Sequence, residues 1–245
     1  MKRFYKDVTV SKAAGGWQVL LDGRALKTQG GAPQIVPSRA LADALAGEWA
    51  AQGDKLDPAS FPLRDMADYA IDRVAADPSG AIAAIMPFAE TDTLCYRADE
   101  GDALRERQES VWEPLVAAAE KALDIRFARV AGITYAPHPP ATRARVVEEL
   151  EEMDSFTLAA LQNLASLAAS LIAALAALDG QQDADTLFAA ANLEEDWQAQ
   201  QWGWEHEALA RRDARARGFA LAQRFARLAR AGDTPEPWGS SRDGT

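Results

Sequence analysis

The sequence is poor in the residues from which metal and disulfide chemistry is built. Among 245 residues there is one cysteine, Cys95. A single thiol supports no disulfide framework, and it cannot supply a zinc site made of several thiolates. The two histidines, His138 and His206, exclude a three-histidine centre. The common phosphate cradles are missing: no G-x-G-x-x-G follows a strand, and no G-x-x-x-x-G-K-[ST] occurs. H-E-x-x-H and G-x-S-x-G are absent as well. His206-Glu207 begins like a zinc helix, but Ala210 stands where the second histidine belongs. No cofactor and no metal are expected.

Positive charge is also scarce. Lys and Arg number 26 against 37 Asp and Glu, so the net charge is 26 − 37 = −11. Phosphate backbones repel such a chain, and a nucleic-acid partner is not expected. The start, Met1-Lys-Arg-Phe-Tyr-Lys-Asp7, lacks the apolar run of a secretory signal, and no Arg-rich, acid-poor transit peptide is visible. With the lone thiol this points to a reducing compartment, the bacterial cytoplasm.

One long uncharged run is present. Residues 155–178 carry no charge and are long enough to cross a bilayer. Thr157, Gln162, Asn163, Ser166 and Ser170 interrupt the run, and its flanks are acidic. It has no aromatic belt and no basic flank. It reads as a helix buried at the centre of a helical domain, with no membrane insertion.

The first third of the chain reads as β. Residues 4–10 alternate loosely, Gly15-Gly16 marks a turn, and Trp17-Gln-Val-Leu-Leu21 is a short apolar strand. Asp22-Gly23 signals a tight hairpin, because glycine supplies positive φ. Residues 24–28 return, and residues 34–37 form one more extended piece. At Ser38, a predicted N-cap, the period changes: Leu41, Ala42, Leu45, Ala46 and Trp49 recur at helical spacing. From Leu63 onward nearly everything reads helical. The expected fold class is α+β. A small N-terminal antiparallel β-rich domain with one helix (1–60) precedes a larger all-helical domain (61–231). The tail, residues 232–245, is rich in Gly, Pro, Ser and Asp, and is expected to be disordered.

Few residues stand out as chemistry. Cys95, between Leu94 and Tyr96, reads as a small buried hydrophobe. His138, in Ala-Pro-His-Pro-Pro, reads as a solvated loop residue. Glu194, Glu195, Asp196, Glu205 and Glu207 surround the segment Trp197-Gln-Ala-Gln-Gln-Trp-Gly-Trp204. Their spacing selects no catalytic pair, and a hydrated helix face accounts for most of them. Acid abundance alone supports an alternative function, a hydrolase with a carboxylate-based site in the cleft between the two domains. Trp197 and Trp204 are seven apart and share a face if the helix is continuous, although Gly203 weakens it. Trp197 is assigned to the core, and Trp202 and Trp204 are open to a contact role. Arg211, Arg212, Arg215, Arg217, Arg224, Arg227 and Arg230 line the last helix, with Phe219, Leu221, Phe225 and Leu228 between them. That pattern suits a helix that packs its apolar stripe at home and pairs its arginines with nearby acids.

Several short motifs then follow one another in order. They are Arg3-Phe-Tyr-Lys6, Gly16-Trp17, Leu21-Asp-Gly-Arg24, Leu26-Lys-Thr28, Glu48-Trp49 with Gln52, and Ala70-Ile-Asp72. Thr91-Asp-Thr-Leu-Cys-Tyr-Arg97, Gln108, Trp112-Glu-Pro114, Glu195-Asp-Trp-Gln198 and Trp202-Gly203 complete the set. Together they resemble the F1-ATPase assembly chaperones of mitochondria and α-proteobacteria, the type that binds the free alpha subunit of F1. The resemblance spans residues 3–230. It implies a non-catalytic assembly factor, monomeric when free, that holds the F1 ATP synthase alpha subunit until beta subunit takes its place. It also implies a role for a glutamate in the late acidic segment, Glu195 or Glu205. The partner-binding residues expected on this ground are Glu194, Glu195, Trp202 and Glu205.

Overall fold

The computed structural model describes residues 1–232. The expectation of a disordered tail lies, from residue 233 onward, outside the described residues. The architecture is α+β, as expected: a three-stranded antiparallel sheet followed by helices.

Two compact units are present. The first holds residues 1–78, 154–160 and 224–232. Its sheet runs β1 (Val8–Ala13), β2 (Gly16–Leu21), β3 (Arg24–Ala25). The register pairs Val8 with Leu21 and Ala13 with Gly16 in the first hairpin, and Leu21 with Arg24 in the second. The second loop is therefore Asp22-Gly23 alone. Both residues have positive φ, 48° and 77°, the backbone of a type I′ turn. Asp22 tolerates it because its carboxylate accepts the N–H groups of Lys6 and Asp7 at 3.0 and 2.8 Å. The returning strand is shorter than expected. Beyond Ala25 the Leu26 N–H still bonds the Val19 carbonyl at 3.0 Å, an isolated bridge joins Lys27 to Pro33, and Val36 bridges back to Trp17 of β2.

Helix α1 (Arg39–Ala50) packs on β1 and β2. Ser38 caps it by accepting the Leu41 N–H at 3.0 Å. Leu41, Ala42, Leu45 and Trp49 form its buried face, at the spacing read from the sequence. The next helix, α2 (Pro62–Tyr69), has no cap of its own and borrows one. Glu48 accepts the N–H groups of Leu63 and Arg64 at 2.7 and 3.0 Å. A π-helical turn, Ala70–Val74, extends α2.

The second unit holds residues 79–153 and 161–223. The remaining helices are α3 (Pro78–Glu90), α4 (Ala103–Leu123), α5 (Pro140–Glu151), α6 (Ser155–Ala168), α7 (Leu171–Asp179), α8 (Ala184–Ala191), α9 (Leu193–Trp202) and α10 (His206–Ala229). The start of α6, residues 155–160, and the end of α10, residues 224–229, belong to the first unit. Short sequence stretches between helices hide one extended pair. β4 (Tyr96–Arg97) and β5 (Val130–Ala131) run parallel, Tyr96 beside Val130.

The uncharged run 155–178 is two helices rather than one. Ala169 adopts φ 49°, and Ser170 starts α7 by accepting the Ala173 N–H at 3.0 Å. Among the described residues no helix is long and apolar enough to cross a membrane. Seven of the nine residues of α7 are buried, including Leu171, Ile172, Leu175 and Leu178. That is the central helix the alanine-rich pattern predicts.

Candidate functional site

Helix α9 opens with three acids, Glu194, Glu195 and Asp196, in its first turn. Carboxylates there oppose the positive end of the helix dipole and suit the exposed N–H groups. Each of the three has a different inner partner. Glu194 accepts a 2.6 Å hydrogen bond from the amide Nε2 of Gln108 on α4. Gln108 is fully buried, and its Oε1 accepts the Ala98 N–H at 2.7 Å. Partial burial raises the Glu194 carboxyl above the usual glutamate range, and the Gln108 bond opposes that rise. Glu195 lies 3.2 Å from Arg215 of α10, which also bonds to Asn192. Asp196 binds Arg212 through both carboxylate oxygens. The Asp196 hydrogen bond, stronger than the opposing burial, holds the Arg212 guanidinium above its ordinary range.

The far end of α9 is built differently. Trp202, its last residue, is 81% exposed. Gly203 then adopts φ 83°, ψ 167°, a conformation open to glycine and costly for other residues, while its N–H still bonds Ala199 at 2.8 Å. The helix stops there, so Trp197 and Trp204 do not share one helical face. Trp204 is half-buried, with the Arg212 guanidinium 5.6 Å from its ring centroid. The same guanidinium lies 5.6 Å from the Phe188 ring. Trp197 is half-buried and not a core residue, because a ten-residue helix pinned by its acids turns Leu193 inward instead. Glu205 is exposed, between the break and α10.

The four expected partner residues thus lie on one short helix and the elbow after it. Glu194 and Glu195 sit at the pinned end, and Trp202 and Glu205 at the open end. The acidic end is held by Gln108, Asn192, Arg212 and Arg215. Gln108 stands among the resembling motifs, and the two arginines pair with nearby acids, as expected. Sequence reasoning missed Asn192, and it missed which acid each arginine takes. Arg212 and Arg215 are three apart on α10 and so share a face, which was a legible signal. Their partners are 16 and 20 residues away, which was not.

His138 is a second correction. It is half-buried, not solvated. Its Nδ1 accepts the Ala128 N–H at 3.0 Å, and Nε2 lies 3.0 Å from the Ala89 carbonyl. Burial lowers its pKa from the ordinary histidine value. Both ring nitrogens are engaged, so it serves as a staple between α3 and the segment before α5.

Two buried carboxyls elsewhere also have structural work. Asp92, fully buried, accepts the Ser170 hydroxyl at 2.7 Å and the N–H groups of Ile172 and Leu94 at 2.8 and 3.0 Å. Burial pushes its carboxyl up to about 6. Asp68 accepts from Gln34 and from the Gln29 N–H, which ties down the loop after β3. Among the described residues no group of three His, Cys, Asp or Glu is placed to hold a metal ion.

Comparison with known proteins decides the family. A family model described as ATP12 chaperone protein matches residues 2–120. Atp12 from Paracoccus denitrificans shares 36% identity and a TM-score of 0.89, over 94% of this chain and 98% of that one. The chain belongs to the ATP12 chaperone family. The Atu1473 protein of Agrobacterium tumefaciens is similar too, with 39% identity and a TM-score of 0.85 over 93% of this chain and 85% of that one. Protein atp12, mitochondrial, of Schizosaccharomyces pombe is 29% identical over 219 residues, 82% of this chain and 74% of that protein. The ATP12 family is the one that the ordered motifs resemble. The motifs of α9 and its elbow lie beyond the residues matched by the family model.

Proposed function

We propose that this chain is an assembly chaperone of the F1 sector of ATP synthase. It binds the free alpha subunit, keeps it from aggregating, and yields it to beta subunit. The observation that carries this reading is membership of the ATP12 chaperone family over nearly the whole chain. The work is binding rather than catalysis, in the bacterial cytoplasm, by a chain that is monomeric when free. The proposed binding surface is α9 with its elbow: Glu194, Glu195, Trp202 and Glu205. An interface of this kind combines an aromatic anchor with a polar rim. It must also release, so its affinity is lower than that of the subunit that replaces it.

The test is a pull-down of separately expressed F1 alpha and beta subunits on the immobilised chain, without nucleotide. The expected result is retention of alpha and not beta, with alpha displaced when beta is added. Retention of neither subunit overturns the reading. So does equal aggregation of alpha in the presence and absence of the chain.

A further inference from the structure

We propose that Trp202 is a projecting anchor, and that it enters an apolar pocket on the F1 alpha subunit whose rim is basic. The identity of the partner rests on the chaperone reading above; the anchor itself rests on the geometry of the elbow.

A tryptophan side chain can bury roughly 150–250 Å² of surface, and leaving it in water forgoes that stabilisation. Trp202 is nevertheless 81% exposed. The local backbone keeps it outside. α9 ends on it, Gly203 breaks the helix at once, and the next residue, Trp204, sits against Arg212. The base is braced by the Asp196–Arg212 pair and by Arg212 lying over Phe188. An aromatic held out on a braced base loses little entropy when it docks, which is how interface anchors reach their affinity.

Charge names the pocket that fits. Residues 193–210 contain five carboxylates and no lysine or arginine. At the pinned end Glu195 and Asp196 meet guanidiniums of α10, and Glu194 meets an amide. At the open end the balance differs. Glu205 is exposed, and Glu207 reaches Arg211 only at 3.6 Å with both side chains largely in water, a pair worth little. Glu205 and Glu207 thus put two exposed acids within five residues of Trp202 in sequence, against one exposed cation, Arg211, in the second turn of α10. The complement of this end is an apolar slot edged by Lys or Arg, and such pairing shows in salt dependence.

The test uses the full chain, its Trp202→Ala and Trp202→Phe variants, and purified F1 alpha. Circular dichroism and Tm establish that both variants fold, as an exposed side chain allows. Affinity for alpha is then measured at 50 and 300 mM NaCl. The expected result is a loss of about tenfold or more for Trp202→Ala, partial retention for Trp202→Phe, and weaker wild-type binding at the higher salt. Wild-type binding with Trp202→Ala within twofold of it overturns the anchor and leaves the chaperone reading standing. Unchanged affinity across salt overturns the basic rim. If Trp202→Ala turns a wild-type dimer into a monomer while alpha binding is unaffected, the occupant is a second copy, and the proposal fails. If wild type does not bind alpha at all, the chaperone reading fails, and the anchor's partner with it.

Discussion

Asp196 and Arg212 meet through two parallel hydrogen bonds of 2.5 Å, Nε donating to Oδ1 and Nη2 to Oδ2. The pair joins the first turn of α9 to α10, and its guanidinium lies over Phe188 and Trp204. One side chain therefore fixes both ends of the proposed binding helix. It holds the acidic start by charge and the tryptophan elbow by stacking.

Replacing Arg212 should loosen that helix without abolishing the fold. Arg212→Ala removes a charge-assisted pair and leaves a half-buried carboxylate unmatched, a loss of about 1.5–3 kcal/mol. Arg212→Lys should recover only part of it, because a point charge cannot make the fork or stack on the rings. Urea unfolding of the three proteins measures the order. Equal stabilities for wild type and Arg212→Lys would show that the bidentate geometry contributes nothing.

The sheet gives a contrast between two glycines. Gly23 has φ 77° in the type I′ turn, but a Cβ there meets open space. Gly23→Ala should cost about 1–2 kcal/mol, the backbone penalty alone. Gly16 lies against Val36, whose carbonyl oxygen would stand 2.3 Å from an added Cβ. That carbonyl accepts the Trp17 N–H at 2.9 Å, so relief of the clash breaks the bridge between β2 and residue 36. Gly16→Ala should therefore lower Tm further than Gly23→Ala. The reverse order would place the energetic weight on turn strain instead.

These two positions also mark what was legible in the sequence. Asp22-Gly23 announces its turn because the requirement is local: two residues of positive φ between two strands. The Ser38 cap and the Leu41, Ala42, Leu45, Trp49 face are legible for the same reason. Gly16 is ambiguous, since the atom that forbids a side chain comes from Val36, twenty residues on. The break at Ala169-Ser170 is invisible because alanine carries no stop signal; it is imposed by Asp92, which holds Ser170 and the Ile172 N–H from far along the chain. At the proposed site the acids and tryptophans are conspicuous by composition. Which of them project is decided by Gln108, Arg212 and Arg215, whose partnerships depend on tertiary packing.

Asp92 gives the fold a pH dependence of known sign. Its carboxyl is pushed up to about 6 by burial, above the roughly 3.9 of an unfolded aspartate. Between those values the folded state binds more protons than the unfolded state. The stability linked to this group is full below about pH 4 and is lost as pH rises through 6. Asp92→Asn cannot titrate, so the wild-type stability measured relative to it should fall by about 2–3 kcal/mol from pH 4 to pH 7. Glu48, Asp68 and Glu194 are raised as well and remain in both proteins, so the difference isolates Asp92. A pH-independent difference in chemical unfolding would remove Asp92 as the source.

The same latch should govern the one thiol. Cys95 is fully buried at the end of a single helical turn, Thr93–Cys95, and Asp92 caps that turn through the Leu94 N–H. Burial pushes the Cys95 thiol well up from its ordinary value, and the neighbouring Asp92 carboxylate adds to the rise. Thiolate is the reactive form, so labelling needs an opening that both exposes and ionises the sulfur. An aromatic disulfide reagent at pH 7.5 should label the native protein at least about a hundredfold more slowly than the urea-unfolded chain. Asp92→Asn replaces an acceptor with an amide facing the Leu94 and Ile172 N–H groups, which weakens the cap, so labelling should accelerate. Trp202→Ala, at an exposed elbow remote in sequence, should label at the wild-type rate. Rapid labelling of the native wild type would mean that the segment from Asp92 to Cys95 opens freely, and that Asp92 does not latch it.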